Sequence, residues 1–299
     1  EIHERLVGSE MCIRDRNNRI LFIIGNGFDL AHGLHSKYSD FAKYCKKYYK
    51  CLYELLPLEF PKLSINSSTN SPTDSSELWA NFEEALGAPD IEYIKNHRNV
   101  DKGELNVALR DWVNDLKDKI NEIQPMDCIK KTIQTYPKAY YISFNYTDTL
   151  ELLYKVKSMN ILHIHGYVSR KDVDASEAFA GYLYGHNLND EEISKMFNAV
   201  SDENYNICNI IEHIRHFRKP VDVAHAPDRA LKAFLQPLSI DNIVVVGHSL
   251  GVMDQDYFKK INESFPKAKW HISYHENNQC ISSVERIGLN PSNVSYFIF

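Results

Sequence analysis

Two short stretches of the chain are apolar after their first residue, and they constrain the fold more than any other feature. Residues 19–25 read RILFIIG, and residues 242–247 read NIVVVG. A strand without polar alternation is buried on both faces, which is typical of a parallel sheet covered by helices on either side. The two stretches therefore predict central strands of an α/β fold.

Four further strands are predicted, and helical segments separate them along the chain: residues 139–144, 160–165, 269–274 and 294–299. This alternation favours a Rossmann-like, mostly parallel sheet with helices on both faces. Two helical segments, about 37–136 and 190–238, are too long for simple crossovers. They predict a helical cap inserted into a single α/β domain over residues 17–299. Within the first segment, a helix over Tyr38–Leu56 is predicted, with Pro57 and Pro61 ending it.

The first sixteen residues differ in character from the rest of the chain. They contain no apolar core of a signal peptide, and residues 7–16 resemble translated sequencing-adapter text. We expect residues 1–16 to be a non-native leader, with the native chain beginning near Asn17.

The overall charge and the cysteines restrict the classes of partner. Lys and Arg total 34 against 40 Asp and Glu, a net charge of −6, whereas a dedicated nucleic-acid binder carries a basic surface. No apolar run approaches the ~18 residues of a membrane span. The six cysteines form no C-x-x-C pair and fit a reducing compartment. We expect a cytoplasmic protein with no nucleic-acid partner, no membrane partner and no metal.

The first apolar strand runs directly into Gly25, Asn26, Gly27, Phe28 and Asp29. Two glycines let the backbone approach an anion, and a following helix presents free N–H groups, so this loop predicts a phosphate site. The asparagine tolerates a left-handed backbone, and the aspartate could cap the next turn or accept a hydrogen bond from a ribose hydroxyl. The spacing is not G-x-G-x-x-G, and an ordinary strand-to-helix turn stays open.

Polar residues also follow the second and third predicted strands, where ligands of parallel sheets bind. Asn145 and Asp148 follow the second strand and are candidate ligand contacts. In the alternative, Asn145 and Thr147 only cap the next helix. His163 and His165 end the third strand, and side chains alternate along a strand, so we expect both histidines on one face. His165, before a glycine, is the candidate base or ribose contact. A structural histidine remains the alternative.

The stretch after the last apolar run allows two interpretations. Gly247, His248 and Ser249 could line a nucleotide pocket at the end of the strand. The same residues fit the G-x-S-x-G nucleophile elbow of serine hydrolases. The remaining triad members would then be Asp254 or Asp256 followed by His271 or His275.

Taken in order, these motifs resemble those of the AbiH family of phage abortive-infection proteins. The resemblance rests on six segments: Ile23–Leu34, Lys37–Phe41, Leu78–Glu83, Ser143–Glu151, His163–Gly166 and Val245–Phe258. It covers nearly the whole chain from about Ile20. It implies phage defence. The partner could be a second copy of the chain or a phage-derived trigger.

The same series is similar, at greater distance, to sirtuin-type NAD-binding domains. That similarity implies a ribose contact for Asn145, a catalytic role for His165 and an adenine-side contact for Gly247–Ser249. The acid of the family's Asn-x-Asp motif is displaced here, since Thr147 occupies its position and Asp148 comes one residue later. The four-cysteine zinc ribbon of sirtuin deacylases is missing from the sequence, which leaves NAD cleavage as the expected activity.

Cleavage of the nicotinamide–ribose bond passes through an oxocarbenium-like cation. We expect Asn145 to orient water or the ribose, His165 to act as general base, and Asp148 or Asp29 to stabilise the cation. Two alternatives stay open: a nucleotide-binding sensor without turnover, and a serine hydrolase built on Ser249.

Overall fold

The computed structural model describes residues 19–63, 79–166, 183–197, 206–219, 226–274 and 279–299. The predicted leader, residues 1–16, lies outside these ranges, as does His275. The chain divides into two compact units. One comprises Glu1–His35, Leu116–Tyr167 and Val221–Phe299, and the other comprises Ser36–Asp115 and Val168–Pro220.

All six predicted strands are present, and their ends differ from the prediction by no more than two residues. They are β1 (Ile20–Ile24), β2 (Tyr140–Ser143), β3 (Ile161–His163), β4 (Asn242–Val246), β5 (Lys269–Tyr274) and β6 (Val294–Ile298). Every neighbouring pair is parallel. The apolar runs form β1 and β4, which are buried along their whole length and lie next to each other at the centre of the sheet.

The strand order is β3-β2-β1-β4-β5-β6, the order of a doubly wound Rossmann sheet. The chain moves outward from β1 to β3 and then returns to the other side of β1 with β4. The loops that follow β1 and β4 therefore meet at the carboxyl edge of the sheet, at the point where the winding reverses.

Helices cover both faces of this sheet, as predicted. One layer contains α1 (Asn26–Ala31), α7 (Asp127–Thr135) and α8 (Thr149–Tyr154), which bury Phe28, Ile129 and Leu150 against the sheet. The opposite layer contains α11 (Ala226–Leu235), α12 (Gln255–Ser264) and α13 (Gln279–Arg286). Its core residues include Leu231, Phe258 and Val284.

The second unit is helical in its described part. Its helices are α2 (Tyr38–Tyr48), α3 (Lys50–Glu59), α4 (Phe82–Ala85), α5 (Ile91–Asn96), α9 (Asp190–Lys195), α10 (Asn206–His216) and the first part of α6 (Lys102–Ile120). One of its cores joins Ile94, Ile193, Phe197, Ile210 and Ile214.

The helix predicted over Tyr38–Leu56 is wrong in two respects. It is interrupted at Tyr49, where the backbone leaves the helical region, and it continues past Pro57 to Glu59. A proline inside a helix removes a backbone hydrogen bond. Here, burial of Leu56 and Glu59 on either side of the proline keeps the chain helical.

None of the helices in the described ranges is both long enough and apolar enough to cross a bilayer.

Candidate active site at the carboxyl edge of the sheet

The glycines after β1 are required by the neighbouring loop after β4. A Cβ atom on Gly25 would lie 2.6 Å from the Cα of His248, and one on Gly27 would lie 2.7 Å from the Cα of Gly247. Gly247 itself has a φ of +67° and is equally crowded by Gly27 and Phe28. The three glycines therefore let the two loops pack backbone to backbone at the switch point of the sheet.

The backbone amides of this loop are used inside the protein. Gly25 donates to the carbonyl of Val246 at 2.9 Å, Gly27 donates to the carbonyl of Gly247 at 2.7 Å, and Phe28 donates to the carbonyl of Gly25. A phosphate contact by these three N–H groups would require those bonds to be exchanged. Asn26 is the first residue of α1, and its backbone does not use the left-handed conformation that asparagine tolerates.

Asp29 is a buried carboxylate that joins α1 to the loop after β2. Its side chain accepts hydrogen bonds from the hydroxyls of Thr147 at 2.5 Å and Thr149 at 2.8 Å. Burial raises the pKa of the Asp29 carboxyl from 3.8 to about 6. The hydrogen bonds from Thr147, Thr149 and Asn145 lower it, and the nearby charge of Asp148 raises it further. With 1% of its surface exposed, Asp29 positions the loop that contains Asn145 and Asp148.

Two acceptor atoms in that loop have no donor within the described part of the chain. They are Oδ1 of Asn145 and Oδ1 of Asp148, in residues that are 6% and 8% exposed. The other carboxylate oxygen of Asp148 lies 3.7 Å from the ammonium of the buried Lys117. A buried acceptor without a donor costs about 1–3 kcal/mol, so this loop is suited to a ligand that brings hydroxyl or N–H donors.

His165 takes part in a cluster that the sequence did not predict. Its Nε2 lies 3.0 Å from Oδ1 of Asp254, and Oδ2 of the same aspartate lies 3.4 Å from Nε2 of His248. The amide of Leu250 donates to Nδ1 of His248 at 2.9 Å, which places the proton of that imidazole on Nε2, toward Asp254. Phe144 packs edge-on against both imidazoles.

The two histidines of the H-I-H-G motif lie on different sides of the sheet. His163 contacts Glu151 of α8 at 2.7 Å, whereas His165 contacts Asp254, next to α12 in the opposite layer. The expectation of a shared face is wrong because β3 ends at His163, and alternation does not continue into the turn. Gly166 has a φ of +89°, so the turn after His165 does use the freedom of glycine.

The serine-hydrolase triad is not assembled through His271. That imidazole bonds to Ser295 and to Asn242, the first residue of β4, whereas Ser249 follows the last. Five strand residues span about 13 Å, so the two side chains belong to opposite edges of the sheet. A nucleophile elbow requires the serine itself to be the strained residue of the turn. Here the strained residue is Leu250, with a φ of +54°.

Among the described residues, no group of three or more His, Cys, Asp or Glu side chains is arranged to hold a metal ion. In the cluster described above, Asp254 hydrogen-bonds to His165 and lies within ion-pair distance of His248.

Comparison with known proteins identifies the family. The family model described as bacteriophage abortive infection AbiH matches residues 21–106 and 90–274, which together span 21–274 of the 299 residues. The chain belongs to the AbiH family. Membership indicates a role in phage defence by abortive infection. The search of curated proteins gave no match.

In this AbiH-family chain, the predicted site residues come from loops that meet at one edge of the sheet. Asn145 and Asp148 share the loop tied down by Asp29, while His165 and His248 share Asp254. Ser249 is exposed at the same edge. The sequence indicates Asp254 only as a possible triad acid, and it gives no signal for Lys117. The aspartate was nevertheless signalled by its place in the motif V-V-G-H-S-L-G-V-M-D.

Proposed function

We propose that the chain binds NAD or a related nucleotide at the carboxyl edge of its sheet and cleaves the nicotinamide–ribose bond. The strand order supports this proposal, because doubly wound sheets bind nucleotides where the winding reverses. The resemblance of the ordered sequence motifs to those of sirtuin-type domains points to the same class of ligand. In an abortive-infection protein, loss of NAD would stop the metabolism of the infected cell.

The observation that carries the proposal is the pair of buried acceptors on Asn145 and Asp148. A ribose presents neighbouring hydroxyl groups, which are donors suited to such atoms. Binding would satisfy two groups that the free protein leaves without partners, so part of the affinity comes from relief of their desolvation.

The chemistry requires little acid catalysis, since the leaving group is already cationic. The C1′–N bond breaks, its electron pair moves to the pyridine nitrogen, and the sugar becomes an oxocarbenium ion. The Asp148 carboxylate would stabilise that cation. Water then bonds to C1′ and loses a proton to the imidazole of His165, which Asp254 holds in place as a positioning residue.

The decisive experiment incubates the purified chain with NAD and measures free nicotinamide by chromatography. His165→Ala and Asn145→Ala are expected to lower the rate about 10²–10⁴-fold while the melting temperature stays within a few degrees. His216→Ala, which removes an exposed histidine elsewhere, serves as the matched control and is expected to keep the full rate. Undiminished nicotinamide release by both site variants would reject these roles.

A sensor without turnover is the second candidate, and it is favoured by the internal bonds of the glycine-loop amides. It predicts that calorimetry detects NAD or ADP-ribose binding, that Asn145→Ala weakens it, and that no nicotinamide appears. Absence of binding to either nucleotide would reject both candidates.

A further inference from the structure

A cavity lies within the helical unit. Its volume is about 440 Å³, within the range of small-molecule sites. Two segments line it: the start of α6 with the loop before it, and the end of α10 with Phe217. Nothing in the reaction proposed above uses these residues.

Lys102 is the most unusual side chain of this cavity. Lys102 as a residue is half-buried, and its ammonium donates to the backbone carbonyl of His216 and lies 5.7 Å from the ring centroid of Tyr184. In the described part of the chain, no carboxylate lies within 4.0 Å of it. Burial lowers the pKa of Lys102. Partial loss of hydration without a counter-ion costs free energy, and an anion bound beside the ammonium would offset that cost.

Other buried lysines of the chain show the contrast. Lys117 lies 3.7 Å from Asp148, and Lys219 lies 3.0 Å from Glu83, so each buried ammonium has a carboxylate from the protein. Lys102 faces a cavity in place of such a partner.

His213 supplies a second polar group on the wall of the cavity. Its Nε2 lies 2.6 Å from Glu59, a fully buried carboxylate that also accepts from the amide of Val100. An ionised carboxylate only accepts, so the Nε2 of His213 carries a proton, and the imidazole is held in one orientation. Its Nδ1 has no partner in the described residues.

The other walls include an amide, an apolar ring and the carboxylate of Asp101, which accepts from the backbone amide of Gly103 at 2.7 Å. Asn106 accepts from the hydroxyl of Tyr184 at 2.6 Å through Oδ1, which leaves its NH₂ group as a donor on the cavity wall. Phe217 forms the apolar side and packs against His213 with ring centroids 5.3 Å apart.

From this arrangement we infer that the cavity binds a small phosphomonoester, a phosphate group attached to an apolar or aromatic body. The ammonium of Lys102 and the NH₂ of Asn106 offer hydrogen-bond donors to the acceptor oxygens of such a dianion. The apolar wall at Phe217 matches the organic part. A ligand of this class would give the helical unit a binding function separate from that of the sheet edge.

Phenyl phosphate is the probe, titrated calorimetrically into the full chain. Wild-type protein is expected to bind it, and Lys102→Met is expected to weaken binding about 10- to 100-fold through loss of the charged hydrogen bond. Lys62→Met, which removes an exposed lysine of the same unit, is the matched control and is expected to bind like wild type. Asn145→Ala is also expected to retain binding, which separates this inference from the nucleotide proposal.

Benzoate completes the experiment. Absence of phenyl phosphate binding, or equal binding by Lys102→Met, would overturn the site, and benzoate binding as tight as phenyl phosphate would overturn the ligand class. If Lys102→Met does not fold, amine acetylation of wild-type protein decides the matter by mass spectrometry. Phenyl phosphate should slow acetylation of Lys102 and leave that of Lys62 unchanged, and equal acetylation of Lys102 with and without the probe would refute the inference.

Discussion

Replacement of Asp29 by asparagine tests the electrostatics of the sheet edge. Burial raises the pKa of Asp29 from 3.8 to about 6, so between these values the folded state binds a proton that the unfolded state has lost. Stability must then decrease as the pH rises through this window. The ionised carboxylate costs the folded state about 3 kcal/mol at neutral pH, at ~1.4 kcal/mol per tenfold change in proton affinity.

About half of this cost should disappear between pH 7.5 and pH 5.0, because the group is then largely protonated when folded. The assay is urea unfolding of wild type and Asp29→Asn at both pH values. The wild type should gain roughly 1–2 kcal/mol relative to the variant as the pH falls. Asp241→Asn, which removes an exposed aspartate of the same unit, controls for the change in net charge.

A pH-independent difference between wild type and Asp29→Asn would refute this reasoning. A relative loss of wild-type stability on acidification would refute it more strongly. That result is the behaviour of a carboxylate whose partners lower its pKa, and it would mean that the threonine hydroxyls outweigh burial.

Two further predictions concern packing and a buried charge. Gly27→Ala should lower the free energy of unfolding by about 1–3 kcal/mol, because its Cβ would meet the backbone of Gly247 at 2.7 Å. Gly33→Ala, where nothing lies within 4 Å, should cost only about 1 kcal/mol of backbone strain, and equal costs in urea unfolding would contradict the loop packing. Lys117→Met should destabilise by about 3–5 kcal/mol by leaving Asp148 without its cation, as followed by thermal unfolding. Adding Asp148→Asn to that variant should recover part of the loss, and no recovery would show that the lysine acts only through packing.

The sequence determined the sheet. Apolar runs without alternation are compatible with few structures other than strands buried on both faces, so β1 and β4 could be placed from composition alone. The ordered motifs also identified the family, since their succession along the chain is itself sequence information. Glycines at 25, 27 and 247 indicated close backbone approach, but the sequence did not reveal that the neighbour is the other loop.

Only the tertiary structure decided which polar groups meet. Asp29 and Thr147 are 118 residues apart, and 89 residues separate His165 from Asp254, so no local pattern could pair them. The surroundings of Lys102 could not be predicted either, because distant segments decide whether a carboxylate lies near its ammonium. Sequence periodicity records which side of an element is buried, whereas the partners of a buried charge are fixed by how distant segments pack.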